Sequence, residues 1–143
     1  MNKKQIIEKY GLDEKIHFWP HKQTGKNIIN FEAIEIMIDY HDIKFDVPEK
    51  NYSKVDGEVA LLIQGHMLKQ NEEGDFDSKG CWSFGEANPK NCYMDYKWAM
   101  AEKRGKGRVV MKLLGFYGGN NGFYSDVEME IAGEVSKNVD FGI

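Results

Sequence analysis

Four cations fall on one side of a single predicted helix, at a spacing suited to binding phosphates. The helix spans residues 96–114, and at a step of about 100° per residue the four side chains lie within one narrow sector. Cations one turn apart, such as Arg104 and Arg108, would be about 5 to 6 Å from each other, comparable to successive phosphates on an unstacked strand. The four residues are Lys97, Arg104, Arg108 and Lys112. This pattern indicates a nucleic-acid partner; a merely solvated helix face is the alternative.

Other residues could extend or complement this row. Lys103 and Lys106 point away from it, and could either solubilise the chain or contact a neighbouring subunit. Lys22 and Lys26 precede the first long helix, where they could form a second wall of a groove or remain solvated. Stacking of a base on an exposed aromatic ring adds about 1 to 3 kcal/mol. The candidates are Tyr93, Tyr96 and Trp98, with Trp98 the poorest because it shares the apolar sector of the helix.

Other chemistries find little support in the sequence. The run Asp75–Glu86 imitates a calcium loop, but Lys79 stands where a ligand oxygen is required and the following residues indicate a strand. His17 and His21 are separated by Pro20, which argues against a zinc pair on one helix. Cys81 and Cys92 lack the context of a nucleophile, and no phosphate-binding lysine loop is present. We therefore expect no metal, no cofactor and no catalytic residue.

The composition limits the kind of binding that is possible. The 143 residues, 41% of them hydrophobic, suffice for one core and predict a single domain spanning 1–143. The net charge of -4 would repel nucleic acid, so binding must depend on a local patch. The first 15 residues are charged and contain no apolar stretch of signal-peptide length. We expect a cytoplasmic protein with reduced thiols and no membrane segment.

Periodicity and turn residues predict an α+β order of elements. A short helix at 3–10 ends at Gly11, residues 15–27 are irregular, and a second helix begins after the cap Asn30. An acidic loop at 70–78 joins the two longest strands. Ser125 and Glu128 match a capping box and predict a last helix. The remaining predictions are a helix at 31–40, strands at 43–47, 57–69 and 79–86 that form an antiparallel meander, and a long helix at 96–114.

Two segments carry a family resemblance. Ala99–Gly115 resembles the helix of the single-strand annealing protein superfamily, which includes phage Erf-type recombinases and the eukaryotic annealing mediators. Trp82–Ala87 is similar to the strand and loop that lead into that helix, and Asn27–Val47 is similar to the family's helix and first strand. The resemblance covers about residues 15–130. The chain departs from the pattern at Gly105, where alanine is usual.

The resemblance implies a β-β-β-α core, a three-stranded antiparallel meander packed against the long helix with short flanking helices. It also implies a homo-oligomer, either a ring or a helical filament, that holds single-stranded DNA in a basic groove with its bases outward. By position Arg108 resembles the groove arginine, and Arg104 and Lys112 are its neighbours. The expected function is ATP-independent annealing of complementary strands in recombination, in a bacterial cell or a phage-infected host. Charge reversal of Arg108 is expected to abolish annealing and leave folding intact.

Two other functions remain open. A non-catalytic oligomeric scaffold or accessory protein of replication would keep the fold and bind its partner through the acidic hairpin Asn71–Asp77. A nuclease would need clustered carboxylates, whereas the acidic residues here are scattered over a loop and two helices. We therefore predict a protein that is not an enzyme.

Overall fold

A long helix packed on a strand hairpin forms the frame of the molecule. The computed structural model describes residues 2–20, 25–51, 58–88, 96–118 and 122–129. Its architecture is α+β, with a long helix packed on strands, so the predicted fold class is confirmed at this level. The helices are α1 (Lys3–Tyr10), α2 (Glu14–His17), α3 (Phe31–His41) and α4 (Lys97–Leu114). The strands are β1 (Phe18–Pro20), β2 (Asn27–Ile29), β3 (Lys44–Phe45), β4 (Glu49–Asn51), β5 (Val59–Gln70), β6 (Phe76–Ala87) and β7 (Phe123–Ser125).

The larger sheet is built around β5. Strand β6 pairs antiparallel with it along twelve residues of each strand, and β3 and β4 pair antiparallel with its other side. Alternate residues of β5, among them Val59, Leu61 and Ile63, are buried. The predicted central strand is therefore confirmed. The predicted strand at 43–47 is wrong in extent, because only Lys44 and Phe45 pair and Val47 is exposed.

Helix α4 approaches the sheet closely because glycines face each other at the contact. A methyl group on Gly85 would overlap the carbonyl oxygen of Ala101, and one on Gly105 would overlap the side chain of Ile63. The helix is continuous through both of its glycines and ends at Gly115, whose φ is 82°. Gly105 therefore faces the sheet at a position without room for a methyl group.

A second, smaller sheet was not predicted. Strands β1 and β2 pair antiparallel, and β2 pairs parallel with β7, so this sheet is mixed. Residues 15–27 are therefore not wholly irregular. Each of these strands has three residues, which is too short for a periodic pattern to be recognised in the sequence.

Local end signals set the helix boundaries. Helix α1 ends at Gly11 with a φ of 65°, and the Asn30 side chain accepts a hydrogen bond of 3.0 Å from the backbone N–H of Ala33 at the start of α3. Both predictions are confirmed. The capping box at Ser125 is not formed, because the Glu128 carboxylate bonds to Arg108 and the Ser125 hydroxyl accepts from Val127. A 3₁₀ turn, Asp126–Met129, follows Ser125, and the rest of the predicted last helix lies outside the described residues.

In the described ranges, no helix is both long and apolar enough to cross a lipid bilayer.

Candidate nucleic-acid interface

Arg104, at the centre of the predicted cationic row, is a core residue. Its side chain is 2% exposed, and its guanidinium donates hydrogen bonds to two backbone carbonyls. Nε donates to the Val127 oxygen at 2.8 Å and Nη1 to the Glu86 oxygen at 2.9 Å. The group joins helix α4, the end of β6 and the 3₁₀ turn. It is not presented to a phosphate.

Arg108, one turn further along α4, is held by two carboxylates. Its guanidinium bonds to both oxygens of Glu86, at 3.0 Å and 2.7 Å, and to Oε1 of Glu128 at 2.7 Å and 2.6 Å. Nη1 also donates to the Phe84 carbonyl oxygen at 2.7 Å. The side chain is 17% exposed. Arg108 therefore bridges the free edge of β6 and the 3₁₀ turn.

The expected open row at Arg104, Arg108 and Lys112 is wrong for the two arginines. A helix packed on a sheet edge leaves the outward carbonyls of that edge without water, and buried carbonyls require donors. The guanidinium group supplies several donors in a fixed plane. Lys112 is exposed, and its ammonium donates to the Ser83 hydroxyl at 3.3 Å and lies 5.6 Å from the Tyr117 ring centroid. Of these three cations, Lys112 is the one with an exposed side chain.

Burial acts to raise the pKa values of the Glu86 and Glu128 carboxyls, and their contacts with Arg108 act to lower them. Hydrogen bonding from Arg108 lowers the pKa of the Glu86 carboxyl. Burial raises the pKa of Glu128 despite its contact with Arg108. Burial alone would lower the pKa of Arg108, but the two carboxylates more than offset this and raise it. Oε2 of Glu128 is buried and has no hydrogen-bond partner among the described residues. Arg108 therefore joins two carboxyls whose pKa values are shifted in opposite directions.

Replacing Glu86 by glutamine should destabilise the protein in a pH-dependent way. A carboxyl whose pKa is lowered by folding contributes stability above its ordinary value of 4.5, and loses it as the pH falls through the folded pKa. Because Glu86 is 44% exposed, we expect a loss of about 1 kcal/mol in free energy of unfolding at pH 7. Urea unfolding at pH 7 and at acidic pH should show the difference shrinking with acidity. Glu8→Gln, at an exposed position of α1, is the control. A loss of stability in E86Q that grows in acid would contradict the assignment.

Comparison with protein-family models, curated proteins and solved structures finds no match.

The other predicted cations are distributed over separate parts of the surface. Lys97 is half-buried, and Lys103 is exposed with its ammonium 5.7 Å from the Phe31 ring centroid. Lys106 forms an ion pair of 2.6 Å with Glu102 and lies 5.3 Å from the Phe45 ring centroid. Lys26 lies 4.6 Å from the Tyr124 ring centroid, and Lys22 lies outside the described residues. The seven candidates that the structure describes do not form one continuous groove.

An exposed aromatic and basic cluster lies at the start of α4, where Tyr96, Trp98 and Lys97 were predicted candidates and Lys50 was not. Trp98 is 46% exposed, and the ammonium of Lys50, on β4, lies 5.2 Å from its ring centroid. Tyr96, just before the helix, is also exposed, and the first turn of α4 contains Lys97 and no acidic residue. We call Lys50, Tyr96, Lys97 and Trp98 the Trp98 patch. The rings offer stacking surfaces beside positive charge, the combination that binds single strands.

Helical periodicity placed Trp98 on the packing side of α4, and the structure corrects this. The helix packs on the sheet through Ala101, Gly105 and Val109, each of which is buried. Trp98 lies one turn earlier, where it meets Lys50 of β4 and stays half-exposed. The sequence contains a signal for this patch, because two aromatic residues, Tyr96 and Trp98, flank Lys97 at the start of the helix. Its link to Lys50 depends on the sheet and is not visible in the sequence.

Proposed function

We propose that this protein binds single-stranded DNA and anneals complementary strands without nucleotide hydrolysis. The observation that carries the proposal is the Trp98 patch, where an exposed indole lies beside the Lys50 ammonium. Such a pair supports binding without sequence preference, because every base has a face that stacks and every nucleotide has a phosphate. Contact through the ring and the phosphate leaves the hydrogen-bonding edges of a base accessible for pairing.

The contact between the two segments that carry the resemblance supports this proposal. Arg104 and Arg108, in the segment Ala99–Gly115, donate to Glu86 and Phe84, in the segment Trp82–Ala87. The order of elements agrees with the same proposal, since β4, β5 and β6 are successive antiparallel strands followed by α4. We propose that these four elements correspond to the β-β-β-α core of the annealing proteins. In this view the family-like arginine fastens the helix to the strand and does not contact DNA directly.

Annealing also requires many weak sites to act together. The whole chain carries a net charge of -4, so one Trp98 patch competes with the general repulsion of DNA. A homo-oligomer would place several such patches along one strand, and the effective concentration of each patch would then raise the overall affinity. We therefore propose that the annealing form is a homo-oligomer.

Replacing Trp98 by alanine should weaken binding of an oligo-dT strand by roughly 5- to 150-fold, the equivalent of about 1 to 3 kcal/mol for one lost stacking contact. Trp19→Ala is the matched control, because Trp19 is also a partly exposed tryptophan but lies on β1. Fluorescence anisotropy with labelled oligo-dT, at low and moderate salt, measures both affinities. Circular dichroism of each variant checks that the fold is retained.

The dependence of binding on salt distinguishes a nucleic-acid-binding protein from a scaffold protein. Binding through phosphates weakens steeply with salt, because counterions are released when the phosphates are neutralised. Lys50→Ala should lower the slope of the logarithm of affinity against the logarithm of salt by about 1. Equal binding by the Trp98→Ala and Trp19→Ala proteins would refute the site. Absence of binding at low salt would refute the function itself.

A second candidate function is a scaffold or accessory protein that uses the same fold without annealing DNA. The observation that favours it is the internal bonding of Arg104 and Arg108, which removes two cations from the nucleic-acid surface. The acidic turn between β5 and β6 would then be a protein-binding surface. A native protein that anneals no oligonucleotides but has a normal fold would favour this candidate.

A further inference from the structure

One edge of the larger sheet is formed by β6, which pairs with β5 and with no other strand in the described ranges. The direction of its backbone groups follows from the neighbouring strands. The Gln64 carbonyl on β5 accepts a hydrogen bond of 2.9 Å from the Asp46 N–H, on the side of β3. Trp82, opposite Gln64, therefore directs its backbone N–H and C=O away from β5, and so do the other even-numbered residues of β6.

This edge is covered at one end and open at the other. Arginine side chains occupy the outward carbonyls of Phe84 and Glu86. From Phe76 to Trp82 every residue is exposed or half-exposed, and the two aromatic rings at the ends of this segment are 66% and 59% exposed. An open edge of this kind, carrying apolar side chains, is a site for pairing with another strand. We call Phe76–Trp82 the open edge.

We propose that two copies of this chain pair antiparallel through their open edges. The register that uses all of this segment and none of the arginine-covered residues places Phe76 opposite Trp82 of the second copy. Ser78 then lies opposite Gly80, Asp77 opposite Cys81, and Lys79 lies on the twofold axis. The rings of Phe76 and Trp82 both lie on the face away from α4. Phe76 of each copy would therefore pair with Trp82 of the other copy, and the interface would contain two cross-strand aromatic pairs. The sheet becomes continuous across the two copies.

Charge complementarity argues that the occupant is a second copy. In this register Ser83 lies opposite Asp75 of the second copy, on the face that carries α4. The ammonium of Lys112 is 3.3 Å from the Ser83 hydroxyl, so it would meet the acidic turn of the other copy. That turn carries Glu72, Glu73 and Asp75, and its carboxylates form no ion pair within the described residues. Lys112 of each copy would thus face Asp75 and Asp77 of the other.

The helix layer is compatible with this arrangement. Helix α4 packs over both β5 and β6. Helix α4 of the second copy would lie about two strand spacings from helix α4 of the first copy, which is about 10 Å. This is an ordinary distance between the axes of packed helices. The interface would therefore join both layers, the sheet edge and the two helices.

Disulfide trapping tests the register. Asp77 and Cys81 of the second copy would lie opposite each other as a pair without ladder hydrogen bonds. The Cα atoms of such a pair are about 4.5 Å apart, which is within the range that a disulfide spans. In a Cys92→Ser background, Asp77→Cys should cross-link to Cys81 of the second copy under mild oxidation. The control Asp77→Cys with Cys81→Ser should give no cross-linked dimer, because the two introduced thiols would lie four residues apart along the new ladder. A cross-link in the control, or none in the test protein, would overturn the register.

A proline at position 78 tests the interface without disturbing the hairpin. The Ser78 N–H points to the open edge, so Ser78→Pro removes no hydrogen bond to β5. Analytical ultracentrifugation should show a dimer for the native protein and a monomer for S78P, with unchanged circular dichroism. A native protein that sediments as a monomer at high concentration would overturn the proposal. The assay contains no DNA, so its outcome is independent of the annealing proposal.

Discussion

Replacing Gly85 by alanine should destabilise the protein by about 3 kcal/mol or more, because the added methyl group meets backbone and not a movable side chain. The new carbon would overlap the Ala101 carbonyl, and its next neighbours are the Gly105 nitrogen and the Ala101 carbonyl carbon. The strand and the helix would have to separate at the point where they pack most closely. For a protein of this size such a loss lowers the melting temperature by about 6 to 12 °C.

The same substitution elsewhere in β6 provides the control. A methyl group on Gly80 would have its nearest neighbour at 3.7 Å, an ordinary contact. Gly80→Ala should therefore change the free energy of unfolding by less than about 0.5 kcal/mol. Differential scanning calorimetry of the two variants measures the contrast. Equal melting temperatures for G85A and G80A would show that the close packing of α4 on β6 does not limit stability.

Arg108→Glu should unfold the protein or leave it strongly destabilised, by at least about 3 to 5 kcal/mol. The substitution replaces the guanidinium with a third carboxylate beside Glu86 and Glu128. It also removes the donor to the Phe84 carbonyl. The buried Oε2 of Glu128 already lacks a partner among the described residues, and both carboxylates would lose the guanidinium that they contact directly. The contacts of Arg108 therefore oppose the expectation that this charge reversal leaves folding intact.

Lys112→Glu provides the matched comparison, since it makes the same change of charge one turn along the same helix. Lys112 is exposed and its contact with Ser83 is a single hydrogen bond of 3.3 Å, so the loss should stay below about 1 kcal/mol. Urea denaturation of both variants gives the two free energies of unfolding. Near-native stability of R108E would contradict the internal role that the contacts assign to this arginine. Loss of DNA binding by R108E is informative only if the variant remains folded.

The parts of the fold that the sequence predicted depend on local signals. Gly11, Asn30 and Gly115 end or begin helices through backbone geometry and capping, which involve neighbouring residues alone. Strand β5 was recognisable because apolar residues occupy both of its faces. The three-residue strands of the small sheet have no comparable pattern, and their pairing joins residues that are distant in the chain.

The direction of the arginine side chains could not be predicted for a similar reason. Helical spacing places Arg104 and Arg108 in one sector, but it does not indicate which element covers that sector. The partners Glu86 and Glu128 lie about twenty residues away on either side along the chain. In the sequence, Glu86 resembles a calcium-loop glutamate and Glu128 resembles a capping residue. A row of arginines in a sequence therefore indicates a binding surface only when the fold brings no carboxylates to the same side chains.

The parallel pairing of β2 with β7 also determines when the chain can complete its fold. Asn27–Ile29 cannot find this neighbour until Phe123–Ser125 has been synthesised, and the Asp126 carboxylate that accepts the Phe31 N–H lies 95 residues after it. Contacts with such long sequence separation slow folding, because a large loop must close before they form. During translation the side of β2 that β7 will occupy therefore stays unpaired while the rest of the domain emerges from the ribosome. The nascent protein depends on Phe123–Ser125 to close its smaller sheet.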